Sequence, residues 1–532
     1  MESPPEGHTD TIKLWPPSHS TRLLLVDRIV KNLTTPSILS RKYGILSKEE
    51  AEEDAKQIES AAFVAANQQF EKDPDSDGGS AVQVYAKESS KLVVEFVKAG
   101  PAQKEDQEAL PELVSSDNEH VFDISGGRRA FIEAEEAKEL FKPLKEPGNK
   151  FTKIRFSNRS FGLPAAHVAA SVLSSVKDQL TEVDLSDIVS RRPEPEAVQV
   201  MKMFSSALEG SHLNCLNLSN NGLGEKGIRA FAGLLKSQAN LVELSFMNAG
   251  ISQDAAKAIC ELLPSTGKLK VLHFHHNMTG DEGATAISQL VKGSPNLEDF
   301  RCSSSRIGSV GGIALAEALK TSTLLKKLDL RDNMFGPKPG VALSNAVSTL
   351  LNLTEMYLSY LNLENEGTIA IANALKESIC TLEVIEMAGN NITSEAAHAL
   401  ADCILSKKHS LTRINLSENE FKDAGALVIT KALEHEFERL CVVDLSTNGI
   451  QRDGAVALAK SVVGKPGFRW LNINGNFLSY KGVEAVREIF ANFPRMLGPL
   501  DENDPPRGED DGHDKFDELE SKLKALEMKQ KE

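Results

Sequence analysis

One phrase constrains this chain more than any other: Leu213-Asn-Cys-Leu-Asn-Leu-Ser-Asn-Asn221-Gly-Leu223. Its pattern, L-x-x-L-x-L-x-x-N-x-L, returns with first positions at 151, 180, 213, 241, 269, 297, 325, 353, 382, 411, 440 and 468. The steps are 28 or 29 residues, apart from one of 33 that follows position 180. A near-constant period of this length is one supersecondary unit copied along the chain. Within each copy, apolar residues at the fourth and sixth positions (Leu216/Leu218, Leu272/Phe274, Leu328/Leu330) alternate with polar ones, which predicts a short strand. A ninth-position column of Asn221, Asn277, Asn333, Asn390, Asn419, Asn448 and Asn476 offers buried amides to the loop backbone where strand pairing stops. Six residues on, a column of small residues (Gly227, Ala255, Gly283, Gly311, Gly367, Ala396, Gly425, Gly454, Gly482) should let a helix approach the strand layer closely. The helix then adds Leu235, Leu263, Val291, Leu319, Leu375, Ile404 and Leu433 to the core. No copy can bury such a face alone, so the copies must stack.

These are the features of a leucine-rich repeat. The expected fold is an α/β solenoid, a horseshoe of twelve units with parallel strands inside and helices outside, whose concave face is a binding surface. Domain boundaries are expected at residues 1–100 (a small all-α domain), 101–120 (a polar linker), 121–498 (the horseshoe with its N-terminal cap) and 499–532 (an acidic tail). In the first, Trp15-Pro16-Pro17 makes an extended turn, and helices are predicted over Thr21–Leu33, Lys48–Phe70 and Ala81–Lys98. The acidic stretch from Asp73 to Gly78 begins like a calcium loop but has Val84 at the twelfth position, so it reads as a turn. Residues 121–147 read as a strand, Val121–Ile124, then a helix, Ala130–Leu144. Between Asp501 and Asp514 seven acids face Arg507, which predicts a solvated tail.

Composition narrows the function. A net charge of −16 argues against nucleic acid and for a basic protein partner. The nine acids expected on the concave face and rim (Asp184, Glu243, Asp299, Asp329, Asp332, Glu355, Glu386, Glu418, Asp444) outnumber Arg301, Lys327, Arg331 and Arg413. Six scattered cysteines without a C-x-x-C pair read as core thiols of a reducing compartment. No apolar run reaches spanning length, which predicts no direct membrane insertion. No phosphate loop, nucleophile elbow or H-E-x-x-H motif occurs. His273, His275 and His276 invite a metal, but their neighbours Ser245, Met247, Arg301 and Ser303 offer no third ligand.

With these residues in view, the chain resembles plant Ran GTPase-activating proteins along nearly its whole length. The Trp15-Pro16-Pro17 domain resembles their WPP nuclear-envelope targeting module, and the repeats resemble their ribonuclease-inhibitor-like catalytic horseshoe. The resemblance implies that the chain is not itself an enzyme. It would stimulate GTP hydrolysis by the nuclear-transport GTPase Ran, ordering the GTPase's own catalytic glutamine without an inserted arginine. GTP and Mg²⁺ would belong to the partner, leaving this chain with no cofactor of its own. Three site residues carry over: Arg192 from the loop Ser186–Arg192, Asn248, and Asn221. The loop coincides with the long step and should bulge from the rim. Asn248 precedes Ala249 at the ladder position and is free of the ladder, whereas Asn221 is itself a ladder residue. Trp15, Pro16 and Pro17 would carry targeting through coiled-coil anchor proteins, placing the chain in the cytoplasm, at the outer nuclear envelope, and at the cell plate during division. The alternative is a non-catalytic interaction scaffold or inhibitor, since the same horseshoe serves such roles.

Overall fold

The computed structural model describes residues 19–34, 48–70, 79–99, 120–125 and 130–504. Trp15, Pro16, Pro17, the acidic turn at 73–78, most of the linker, and the tail beyond Asp504 lie outside the described residues. The chain divides into two units, Met1–Val114 and Ser115–Glu532.

In the first unit, helices span His19–Thr34, Lys48–Phe70 and Gly79–Ala99. Ile29 and Leu33 pack with Ala51, Ala55 and Ile58, while Ala62, Ala66, Ala81 and Tyr85 form a second cluster. The alanines let the helices pack at short range. Glu59, 5% exposed, is buried with partners: two hydrogen bonds from Arg22 at 2.7 and 2.8 Å, and one from the Tyr85 hydroxyl at 2.5 Å. The Arg22 guanidinium also lies 3.6 Å from the Phe63 ring centroid. A buried carboxylate is tolerated only with such compensation.

In the second unit, thirteen parallel strands form one sheet in sequence order. Each has three residues with the middle one buried, and register is maintained residue for residue, as in Leu328 opposite both Phe300 and Met356. Twelve strands belong to the twelve repeats; the thirteenth, Val121–Asp123, pairs with Lys153–Arg155 and covers the N-terminal edge. Helices return from each strand to the next on the other side of the core. This is a leucine-rich-repeat solenoid of α/β class.

The asparagine column does what its burial requires. The Asn333 side chain accepts from Ser305 N and Ile307 N at 3.1 and 3.0 Å, and donates to Cys302 O and Leu330 O at 3.0 and 2.8 Å. One amide thus satisfies backbone groups in its own repeat and the preceding one.

Four expectations change. Ala130–Ile132 is not the start of a helix but a strand, paired with Arg159–Phe161 in a second, two-stranded sheet. Ile132 points into the core and Phe131 out, and that pairing overrides local helix propensity. Helices follow only at Ala134–Leu140 and Lys142–Lys145. The small-residue column serves contact between neighbouring helices and with the loop before each helix, rather than with the strands. A Cβ on Gly311 would sit 2.8 Å from Ala284 Cβ of the previous helix and 2.8 Å from Ile307 Cγ2. The cysteines are only partly core: Cys302, Cys380 and Cys403 are buried, while Cys215, Cys260 and Cys441 are half-buried. Finally, the ordered solenoid runs past residue 498. Leu497 bridges Leu471, Leu500 is buried, and Asn503 accepts Asn476 N at 2.9 Å through its side chain. Residues 501–504, expected in the solvated tail, complete a partial repeat that ends the ladder.

Candidate functional site

The repeats place one residue after another on the rim just beyond the strands. The position before each ladder residue adopts the left-handed conformation in every repeat: Asn158, Asp187, Asn220, Asn248, His276, Ser304, Asp332, Tyr360, Gly389, Glu418, Thr447 and Gly475. Glycine and asparagine suit that conformation, because a Cβ usually clashes there and a short amide clashes least. Asn248, with φ of 47°, belongs to this column, so its residue type has a backbone reason in addition to any functional one. Its side chain is exposed and its Nδ2 donates to Asn220 Oδ1 at 3.0 Å. Two rim amides from adjacent repeats therefore form a pair. Sequence reasoning selected Asn248 and passed over Asn220, although the 28-residue spacing between them puts both at the same place in consecutive repeats.

Asn221 points the other way. It is 7% exposed, donates to Leu185 O and Leu218 O at 2.7 and 3.1 Å, and accepts from Ile188 N at 2.9 Å. It anchors the loop 186–192 from below and presents nothing to a partner.

That loop does not bulge freely. Ile188 and Val189 are buried, and Phe161 N donates to Ile188 O at 2.8 Å, which fastens the extra residues to the second sheet. Arg192 closes the fastening. Its Nη2 and Nε donate to Ser160 O and Oγ at 2.9 and 3.2 Å, and its Nη1 lies 3.6 Å from Glu196 Oε1. The guanidinium sits 5.0 Å from the Phe131 ring centroid, and the side chain is only 14% exposed. Arg191, with φ of 61°, is exposed at the outer turn.

Along the strand face, charge is largely paired, both within a repeat and across neighbouring strands. Arg301 binds Asp299 through two hydrogen bonds, Lys327 pairs with Glu355, and Arg331 with Asp329. Arg331 and Arg413 both reach Glu386, which is 7% exposed and whose carboxyl is nevertheless held above its usual range by burial. Burial pushes the His275 imidazole down to about 4, with His273, His276 and Arg301 adding to the effect, so at neutral pH it is uncharged. His273 Nε2 lies 3.3 Å from Asp299 Oδ1. Among the described residues no group of three or more His, Cys, Asp or Glu is arranged to hold a metal ion. Burial raises the Cys302 and Cys403 thiols to about 12, leaving them protonated and unreactive.

Comparison with known proteins adds the following. The WPP domain family matches residues 11–107, and the Leucine Rich repeat family matches 211–232, 378–401 and 407–429. RAN GTPase-activating protein 1 of Arabidopsis thaliana is 68% identical over 98% of this chain and 97% of its own length. RAN GTPase-activating protein 2 of the same plant is 58% identical, over 99% of this chain and 98% of its own. MFP1 attachment factor 1 of Solanum lycopersicum is 38% identical over 131 residues, which is 24% of this chain and 85% of that protein. With identity this high from end to end, the WPP module in front and the repeats behind, the chain belongs to the plant family of Ran GTPase-activating proteins.

Proposed function

We propose that this protein activates GTP hydrolysis on Ran by presenting the Asn220–Asn248 pair to the nucleotide site of the GTPase. The single observation that carries this placement is the hydrogen bond between the two rim amides. It uses one Nδ2 hydrogen and the Asn220 oxygen, leaving the Asn248 oxygen and the remaining amide hydrogens to a partner. Such groups can hold the partner's catalytic glutamine and attacking water in line, a contribution of positioning and electrostatics rather than of covalent chemistry. Arg192, expected to act on the partner, is better suited to holding the loop. Arg191 beside it is the exposed cation. GTP and Mg²⁺ are the partner's, and this chain alone turns over nothing.

Single-turnover hydrolysis of GTP on Ran, with catalytic amounts of the full chain, is the test. Asn248→Ala would add a backbone cost of about 1 kcal/mol in the left-handed conformation, so glycine is the cleaner replacement. Asn248→Gly and Asn220→Gly should each lower kcat on the order of 10²-fold, the scale of one transition-state donor, with an unchanged melting temperature. Failure of the wild-type chain to accelerate hydrolysis rejects the activator reading and leaves the scaffold or inhibitor.

The same proposal assigns the first unit to attachment at the nuclear envelope through a coiled-coil protein, with the remaining protein cytoplasmic. No described helix is long and apolar enough to cross a membrane, so the attachment is assigned to a protein contact. Residues 1–114 fused to a fluorescent reporter should concentrate at the envelope, and Trp15→Ala with Pro16→Ala should release it while helical circular dichroism persists. Retention after that change would place targeting on another surface.

A further inference from the structure

Ion pairing neutralises the acids of the strand face unevenly. Asp299, Asp329, Glu355 and Glu386 each have an arginine or lysine at ion-pair distance. Asp332, Glu418 and Asp444 have none among the described residues; Asp332 and Glu418 share the left-handed column with Tyr360, one repeat before it and two after, and Glu418 accepts its hydroxyl. The Tyr360 hydroxyl is pushed up to about 12, first by partial desolvation at the rim and then by its hydrogen bond to Glu418, with Asp444 and Asp332 adding to the effect.

Tyr360 occupies the left-handed column with φ of 59° but is the one large aromatic residue in it. The ring lies against the backbone of Gly389 in the next repeat, where a Cβ would come 2.3 Å from Tyr360 Cδ1. Its hydroxyl donates to Glu418 Oε1 at 2.5 Å, two repeats along. The ring is therefore laid down along the rim rather than buried, and Tyr360 remains 45% exposed. Met334, 64% exposed, and Asn362 line the same open dimple of about 470 Å³. The dimple thus exposes an aromatic ring and a thioether, and the hydroxyl end of that ring rests on Glu418, a carboxylate with no cation at ion-pair distance among the described residues.

We propose that this dimple is a docking site for a lysine or arginine side chain of a protein partner. The aliphatic stem would cross the Tyr360 ring and Met334, with the charged end held by Glu418 and Asp332. The charge pattern selects that occupant. An acidic side chain is repelled, and a purely apolar one would desolvate carboxylates without compensation. A long cationic side chain satisfies both parts, because it carries an apolar stem with its charge at the tip and is attracted to the face of an aromatic ring. The site lies four repeats from Asn248 along the same column, so it should set affinity and orientation rather than the chemical step.

The test uses GTP-loaded Ran as partner, and only in that choice does the proposal rest on the preceding reading. Tyr360→Gly removes the ring while retaining a residue that the column already accepts at Gly389 and Gly475. In the full chain, Tyr360→Gly and Glu418→Gln should each raise KM, and the directly measured Kd, about three- to tenfold. kcat should stay within about twofold and the melting temperature should not move. Tyr360→Phe should retain most of the affinity, and the double variant should lose less than the product of the single losses, because both groups serve one cation. Equal Kd for wild type and both single variants, including no measurable binding by any of them, overturns the proposal. Binding without acceleration by the wild type instead overturns the activator reading, and the Kd comparison then still decides the dimple.

Discussion

At the scale of the residue, the informative pairs are neighbours in sequence with opposite jobs. Asn220 and Asn221 differ by one position, yet the first lies on the rim and the second is enclosed by backbone groups. Arg191 and Arg192 divide in the same way. All three contacting nitrogens of Arg192 are engaged, and its fork geometry suits Ser160 and Glu196 together in a way that lysine cannot reproduce. Arg192→Ala should cost about 1–3 kcal/mol, since it deletes hydrogen bonds from a charged, half-buried group. Arg192→Lys should recover only part of that. Arg191→Ala should leave stability within about 0.5 kcal/mol, as surface substitutions do, while raising KM for Ran. Urea unfolding and single-turnover kinetics on the two variants separate the roles. Slower chemistry in Arg192→Ala with undiminished stability would return Arg192 to the reacting centre.

At the scale of the element, helix spacing is set by missing side chains. Helices Pro337–Val347 and Glu364–Glu377 meet where a Cβ on Gly340 would lie 2.8 Å from Gly367 Cα, a backbone atom that cannot rotate away. Gly340→Ala should therefore destabilise by about 1–3 kcal/mol through overpacking. Gly464, in a turn, has nothing within 4 Å of its hypothetical Cβ and no positive φ. Gly464→Ala should be neutral or stabilise by up to about 1 kcal/mol through the unfolded chain. Urea midpoints of the two variants form a controlled comparison, and equal midpoints would show that the close approach is not stabilising.

At the scale of the molecule, a solenoid is held by nearest-neighbour interfaces, so its ends carry the greatest liability. The N-terminal end is closed by the strand Val121–Asp123 and by a group of phenylalanines. Phe141 and Phe156 have ring centroids 5.2 Å apart, as do Phe161 and Phe204. The other end depends on Leu500 and Asn503. Truncation after Gly498 should expose the last repeat and lower the melting temperature, whereas truncation after Asp504 should not. The longer truncated form should differ from the full chain only in weaker association with Ran at low salt, because screening shortens the reach of the tail's charges to about 8 Å at physiological ionic strength. Equal melting of the two truncated forms would remove the cap assignment, and equal affinity across a salt series would remove the steering role.

The repeat by itself determined the strand order, the parallel register and the burial of the asparagine column, because a fixed period brings equivalent residues into register wherever copies stack. The helices of the first unit were legible in the sequence: Lys48–Phe70 has the expected bounds, and the other two are longer by one or two residues at each end. What tertiary structure alone decided lies where the period is broken or the backbone is left-handed. Ala130–Ile132 became a strand because Arg159–Phe161 offered it a partner, and residues 499–504 continued the ladder with a single asparagine in place of the full motif. Arg192 turned inward because Ser160, Glu196 and Phe131, distant in sequence or on another element, supplied acceptors and a ring face. The pairing of Asn220 with Asn248 and the laying of Tyr360 over Gly389 likewise depend on adjacent repeats being stacked. Periodicity specifies which residues share a column, but the direction each side chain takes is settled by the groups that stacking places beside it.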